Sequence, residues 1–151
     1  MHRSRILIAD DHNLVAELCK NLLEPEVEVV GVVKEGRALL GAASELKPDV
    51  ILVDIAMPLL NGLDAAQRVK EMFPAVKIAF LAMNTDVEVA AEGFRRGGSG
   101  HLLKTCATSE LVTAVRNVLM GREVSIADSP QRRNRFLEKA TAEGRRSKEK
   151  G

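Results

Sequence analysis

The run Arg5-Ile-Leu-Ile-Ala9 ends in Asp10-Asp11, and the run Val50-Ile-Leu-Val53 ends in Asp54. Both are short, nearly continuous in apolar residues and rich in Ile and Val, which reads as strands of a parallel sheet covered on both faces. Gly100-His-Leu-Leu103 has the same form and ends in Lys104. Val27 to Val33 and Val76 to Ala82 supply two more strands. Helical spacing fills the gaps. Leu14, Val15, Leu18 and Leu22 fit one face of a helix that Pro25 ends. Arg37 to Leu46 reads as a helix stopped before Lys47-Pro48. Another follows Asn61-Gly62 and ends near Phe73-Pro74. Asp86 caps a fourth, closed at Gly97-Gly98, and Ser109 caps a fifth through Leu119, closed by Gly121. Five βα units with right-handed crossovers predict an α/β fold, a doubly wound five-stranded parallel sheet with five flanking helices. Val50 to Val53 is the most apolar strand and therefore the central one.

In a sheet of this kind the carboxyl ends of the strands form the binding rim. Asp10, Asp11, Asp54 and Lys104 each follow a strand, so all four meet there. Three carboxylates held together repel one another and invite a hard cation such as Mg²⁺. A lysine beside them suits an incoming anion, and a phosphoryl group fits. Any one of these residues alone would read as a turn, a cap or a solvated charge. Their joint position at strand ends is what carries the inference.

Composition agrees with one domain. The chain has 151 residues, 46% hydrophobic and 28% charged, enough for one core. No apolar run is long enough to span a bilayer, and Met1-His-Arg-Ser-Arg5 has no signal-peptide character. Cys19 and Cys106 make no metal pattern or disulfide framework. The expectation is a cytoplasmic, reduced protein. The net charge of +1 conceals an asymmetry: residues 130–151 hold eight Lys/Arg against three Glu, leaving 14 basic and 18 acidic residues for the remainder. A basic tail follows an acidic body. A solvated helix or linker accounts for it, and nucleic-acid contact is the sharper reading, weakened because Phe136 is its one aromatic residue.

Ile8-Ala-Asp-Asp-His12, Asp54-Ile-Ala-Met-Pro58 with Asn61-Gly62, and Gly100-His-Leu-Leu-Lys104 together resemble the receiver domain of bacterial two-component response regulators, most closely the LuxR-type branch. The resemblance covers about residues 4–121 and implies a flavodoxin-like strand order, 2-1-3-4-5. It implies a histidine kinase as partner, with Asp54 as the phosphoacceptor. Asp11 would ligate Mg²⁺ directly, Asp10 partly through water, and the backbone carbonyl of Ala56 would complete the site. Lys104 would pair with a phosphoryl oxygen. No turnover is implied beyond self-phosphorylation on Asp54 and slow autodephosphorylation. A homodimer is a further expectation, and DNA would be reached only through an output domain. The residues after Gly121, 122–151, lack a plausible helix-turn-helix and read as a basic tail or linker. Their charged segment runs from Gln131 to Lys150 after Ser129-Pro130, with Phe136, Leu137 and Ala140 at helical spacing.

The sequence departs from that family at two switch positions. Ala82 stands where a Ser or Thr hydroxyl usually reaches the phosphoryl group, and alanine offers no donor. His101 replaces the usual aromatic residue of the fifth strand and reads as a surface or partly buried strand residue. Asn84 lies where the family tunes access to the phosphoryl group. His12 reads as the start of the first helix rather than a metal ligand, and Met57-Pro58 as loop-shaping. The competing reading is a receiver-like interaction module that no longer switches because of Ala82. A haloacid-dehalogenase-type phosphatase is disfavoured because Asp54-Ile-Ala56 lacks a second acid two residues on. A dinucleotide-binding protein is disfavoured because Asp-Asp-His-Asn, not a glycine fingerprint, follows the first strand.

Overall fold

The computed structural model describes residues 3–57, 60–83, 86–106 and 108–125. Elements alternate along the chain: β1 (Arg5–Ala9), α1 (Asn13–Leu23), β2 (Glu28–Val33), α2 (Gly36–Leu46), β3 (Val50–Asp54), α3 (Gly62–Met72), β4 (Lys77–Ala82), α4 (Val87–Arg95), β5 (Gly100–Leu103) and α5 (Thr108–Leu119). The five strands form one sheet in the order β2-β1-β3-β4-β5, every neighbouring pair parallel. The doubly wound fold and the 2-1-3-4-5 order are therefore those expected. β3 lies between β1 and β4 and is buried along its whole length, as its apolar run predicts.

Strand alternation divides the core in two. Ile6, Ile8, Leu52 and Leu81 face α1 and α5, where they meet Leu23, Leu111 and Val115. Leu7, Ile51, Ile78 and Phe80 face the opposite side, against Leu39, Ala43 and Val69 of α2 and α3. Burying an aliphatic side chain of this kind contributes about 1.5–3 kcal/mol, and both faces of the central strands do so.

Two helix expectations need correction. On α1 the buried residues are Ala16, Cys19 and Leu23. Leu14 and Leu18 are 87% and 52% exposed, while Val15 and Leu22 pack against the core from its edge. The apolar residues of α1 cover more than one face, and the small ones lie closest to the sheet. α5 begins at Thr108, so Ser109 lies inside its first turn rather than capping it. The other ends hold as expected. Asp86 accepts from the backbone N–H groups of Glu88 and Val89, Lys47 closes α2 in the left-handed conformation at φ 48°, and Gly97 and Gly121 take positive φ.

Past Gly121, Val124 stays on the body. The N–H of His101 donates to the Val124 carbonyl at 2.9 Å, the N–H of Val124 donates to Ser99 at 2.9 Å, and Val124 joins the α1/α5 side of the core. The packed body thus reaches past residue 121. The expectations for Ser129-Pro130, the segment from Gln131 to Lys150, Pro58 and Asn84 lie outside the described residues.

Candidate functional site

Asp10 follows β1 directly, and its N–H donates to the Val33 carbonyl of β2 at 3.0 Å. That bond extends the sheet by one residue and holds Asp10 in the interior, where it is fully buried. Asp54 is the last residue of β3 and is 2% exposed. Its Oδ1 accepts the backbone N–H of Ala56 at 3.0 Å. The β3–α3 connection presses on this strand end. The N–H of Gly62 donates to the Ile55 carbonyl at 2.8 Å, and a Cβ on Gly62 would lie 2.1 Å from the Asp54 carbonyl oxygen. Only glycine allows that approach.

Lys104 follows β5. Its N–H donates to the Ala82 carbonyl at 2.8 Å, which prolongs the β4–β5 ladder and directs the side chain inward. Lys104 Nζ lies 3.0 Å from Asp10 Oδ1 and 2.9 Å from Asp54 Oδ2, with the lysine side chain 1% exposed. The contact with Asp10 is a directed hydrogen bond. The contact with Asp54 is a close ion pair off the hydrogen-bond direction, so Asp54 Oδ2 is without a hydrogen-bond partner among the described residues, as is Asp10 Oδ2. Burial pushes the Asp54 carboxyl above its ordinary range, and the Asp10 charge adds to this; Lys104 and the Ala56 N–H act in the opposite sense. Asp11 completes the acidic set at the solvent side, its side chain 36% exposed.

The structure brings Asp10, Asp11, Asp54 and Lys104 together at one rim, and His12 joins them there. His12 is the N-cap of α1, as its position before the helix implies, yet its side chain makes no cap hydrogen bond. The ring turns into the cluster instead. Nδ1 lies 3.1 Å from Asp10 Oδ1, 3.3 Å from Asp11 Oδ1 and 3.7 Å from Asp54 Oδ2. One ligand atom from each of Asp10, Asp11, His12 and Asp54 falls within 4.8 Å of the others. The available signal was adjacency: a histidine that follows two rim acids and precedes a helix has few directions to take. The buried, unpartnered carboxylate oxygens and the oxygen-rich donor set fit a hard divalent cation.

The two switch positions behave differently. Ala82 ends β4 at 9% exposure and reaches the site through its carbonyl bond to Lys104. His101 is 1% exposed, not on the surface. It pairs with Phe80 across β4 and β5, and both ring nitrogens lack a partner among the described residues. The short strand β5 is covered on both faces, so its second residue is enclosed despite being polar. Burial lowers the His101 pKa, opposed by the charge of Asp86.

A doubly wound sheet with a buried acid pair, a third acid and a lysine at its carboxyl rim is the architecture of a signalling receiver. The response regulator receiver domain family matches residues 6–116, and the chain belongs to that family. It is similar to the transcriptional regulatory protein DegU of Brevibacillus brevis, at 36% identity over 122 residues, 80% of this chain and 52% of that one. The transcriptional regulatory protein LnrK of Bacillus subtilis is 34% identical over 119 residues, 78% of this chain and 54% of the relative. This chain spans about half the length of those relatives. Among solved structures, the signal receiver domain of the response regulator NarL from Mycobacterium tuberculosis matches with a TM-score of 0.77 at 28% identity, covering 81% of this chain and 100% of that one. A LuxR-family response regulator from Aurantimonas matches at 0.80 with 27% identity, covering 92% and 99%. The fold, the receiver assignment and the LuxR-type affinity are those expected from the sequence. No helix among the described residues is long and apolar enough to cross a membrane.

Proposed function

We propose that this chain accepts a phosphoryl group from a histidine kinase onto Asp54, with Mg²⁺ as cofactor, as the input domain of a cytoplasmic transcriptional regulator. The observation that carries the reading is the asymmetry of the Asp54 carboxylate. Oδ1 is held by the Ala56 N–H, while Oδ2 has no hydrogen-bond partner among the described residues and faces Lys104 at 2.9 Å. Oδ2 is the oxygen free to attack phosphorus. Attack forms the Oδ2–P bond of an acyl phosphate and breaks the P–N bond to the donor histidine, which leaves with the bonding pair. Lys104, a donor only, meets the oxygens of the arriving group as a point charge.

Asp11 and Asp10, with Asp54 and the Ala56 carbonyl, would hold Mg²⁺, which when bound neutralises charge on the transferring group. Asp10 is the residue whose buried, unpaired oxygen most needs such a counter-charge. The role in transcription follows from the names of the relatives; DNA contact belongs to an output domain, and a homodimer is the form in which that domain would act. Ala82 and His101 set the strength of the response rather than the chemistry.

The test is direct. The purified chain is treated with a small phosphodonor, with and without Mg²⁺, and weighed intact. One phosphoryl group should appear, only with Mg²⁺, and should map to Asp54. Asp54→Asn should abolish it, and Asp11→Asn should weaken Mg²⁺ binding and slow the labelling. Label on another residue, or unchanged Mg²⁺ affinity in Asp11→Asn, would overturn the assignment.

A further inference from the structure

We propose that the outer edge of β2 is a self-association surface: two copies of this chain pair antiparallel along Glu28–Val33, about a two-fold axis between Val30 and Gly31, and join their sheets into one. This gives the homodimer expected above a face, and it does not depend on phosphorylation of Asp54.

The sheet has two edges, and only one is closed among the described residues. At β5 the chain returns. Gly100 forms a bridge with Val124, the N–H of His101 donates to the Val124 carbonyl at 2.9 Å, and β5 is buried along its whole length. β2, in contrast, pairs with β1 alone. Its Glu28 and Val32 are exposed, and the residues between them are half-buried. An open strand edge presents unpaired N–H and C=O groups, which are a template for another strand.

The sequence of this edge reads nearly the same in both directions. Glu28-Val-Val-Gly-Val-Val-Lys34 has a pair of valines on each side of Gly31 and opposite charges at its ends. An antiparallel alignment sets the Glu28 end of each strand beside the Lys34 end of the other, whereas a parallel alignment would join like charges. The side-chain faces fix the register. Val29 packs on the α1 side of the sheet. Val32 pairs with Ile8, a residue of that same side. A two-fold axis between Val30 and Gly31 sets Val29 of one copy against Val32 of the other, both on the α1 side. Cross-strand pairs of this β-branched kind stabilise a sheet.

A bulge commonly guards an edge against such pairing. In β2 the extra residue is Val30, because Val29 pairs with Ile6 and Gly31 with Leu7. The bulge therefore lies at the proposed axis. The two-fold maps it onto its own copy rather than onto a regular strand, so the residues on either side keep matching faces.

The wall beside the edge is self-complementary as well. Glu17 and Lys20 of α1 line a groove together with Val29, Val32 and Lys34. These two side chains lie one helical turn apart and carry opposite charges. The two-fold reverses their order across the interface, so Glu17 of each copy meets Lys20 of the other. An isologous contact has this form: where one residue meets a second, the second meets the first.

The test uses the full chain without phosphodonor or Mg²⁺. Sedimentation from about 10 μM to about 1 mM spans the range expected of a small interface. Wild type should move from monomer toward dimer across it. Val32→Lys, which puts a charge on the open edge, should weaken association by about tenfold or more. Glu17→Lys and Lys20→Glu should each weaken it by about 2- to 30-fold, since each change acts twice across the axis. An equimolar mixture of those two variants should associate better than either alone, because every altered charge then meets its opposite. Leu18→Ser lies on the side of α1 that faces Leu111 of α5 and should change nothing. Circular dichroism checks that each variant folds. A wild type that stays monomeric throughout would overturn the proposal, and so would a dimer indifferent to Val32→Lys or a mixture no better than its parts. Association lost in Leu18→Ser but kept in Val32→Lys would move the dimer to the α5 side of α1 and overturn it too. If Asp54 takes no phosphoryl group, the functional reading above fails, while these measurements still decide this one.

Discussion

Replacing His101 with Phe should make the protein more stable at neutral pH, and the gain should grow as the pH falls. His101 is 1% exposed, with both ring nitrogens unpartnered among the described residues. A buried polar group without a hydrogen bond costs about 1–3 kcal/mol. Phenyl has the flat shape of imidazole, carries no polar atom and lies next to Phe80 in the sheet register. The expected gain at pH 7.5 is therefore about 1–3 kcal/mol, less whatever the larger ring costs in packing. For a domain of this size that corresponds to a melting temperature higher by roughly 3–10 °C.

The pH dependence has a definite sign. Burial lowers the folded pKa of His101 below the ordinary 6.5. Above about pH 6.5 the imidazole is neutral in both states, and its contribution is fully present. As the pH falls below that value, the unfolded chain takes up a proton that the folded protein refuses. Stability is then lost by at most about 1.4 kcal/mol per pH unit, until the pH passes the lowered folded value. His101→Phe removes that loss. Urea unfolding of both proteins between pH 5 and 7.5 measures the difference, and His101→Asn serves as a polar control that should show no gain at pH 7.5. A variant that is less stable than wild type at pH 7.5, or a stability difference that does not widen toward pH 5, would refute the argument. It would mean that the ring has a partner or is charged in the folded state.

Gly62→Ala should slow phosphorylation of Asp54 and destabilise the chain by about 1–3 kcal/mol, because its Cβ would collide with the Asp54 carbonyl; unfolding and labelling rates measured together test it. Ala82→Thr restores a hydroxyl beside the site and should strengthen phosphorylation-dependent chemical-shift changes from Met83 to Lys104, by up to about 1.5–3 kcal/mol of bias, or about 10- to 150-fold in population. A wild type that already responds fully, with nothing added by Thr, would assign the relay elsewhere. Leu23→Ala should cost about 2–5 kcal/mol, while Leu14→Ser should stay within about 0.5 kcal/mol, since Leu23 is 1% and Leu14 87% exposed; chemical denaturation of the two variants separates them.

The fold was legible because strands and helices differ in period and because each strand of a doubly covered sheet is a compact apolar run. β3 is the clearest case: Val50 to Val53 has no polar residue, and all of it is buried. The rim acids and Lys104 were legible for a topological reason. Parallel strands send their carboxyl ends to one edge, so a charge after each run is a statement about position in space. What the sequence concealed depends on contacts rather than period. On α1, leucines occupy both the edge and the exposed side, and Ala16 and Cys19 face the sheet because small side chains let the helix approach. Pattern alone favours the large residues. The burial of His101 depends on coverage of both faces of a four-residue strand. The turn of His12 into the acids is a matter of side-chain rotamer at a helix cap, which spacing does not encode.

These concealed features bear on how the rim holds its charge. Asp10 and Asp54 are both inside the protein and share one ammonium, Lys104, at 3.0 and 2.9 Å. Burial is the main reason that Asp54 ionises less readily than an ordinary aspartate although it touches a lysine, and the charge of Asp10 adds to it. A buried charge left short of partners destabilises a fold, and replacing it with packed apolar groups would commonly improve stability. The arrangement makes sense as a site that binds cations and anions in turn. Asp11 stands at its solvent edge, where it would supply a further donor for a cation. In the proposed reaction Asp54 Oδ2, which has no hydrogen-bond partner among the described residues, is the nucleophile, and Lys104 meets the anion. The same electrostatic strain that lowers stability at rest makes binding there favourable, so Asp54→Asn should raise the melting temperature while it removes the phosphoacceptor. Loss of both stability and labelling in that variant would instead mean that Asp54 is held in place chiefly as the partner of Lys104.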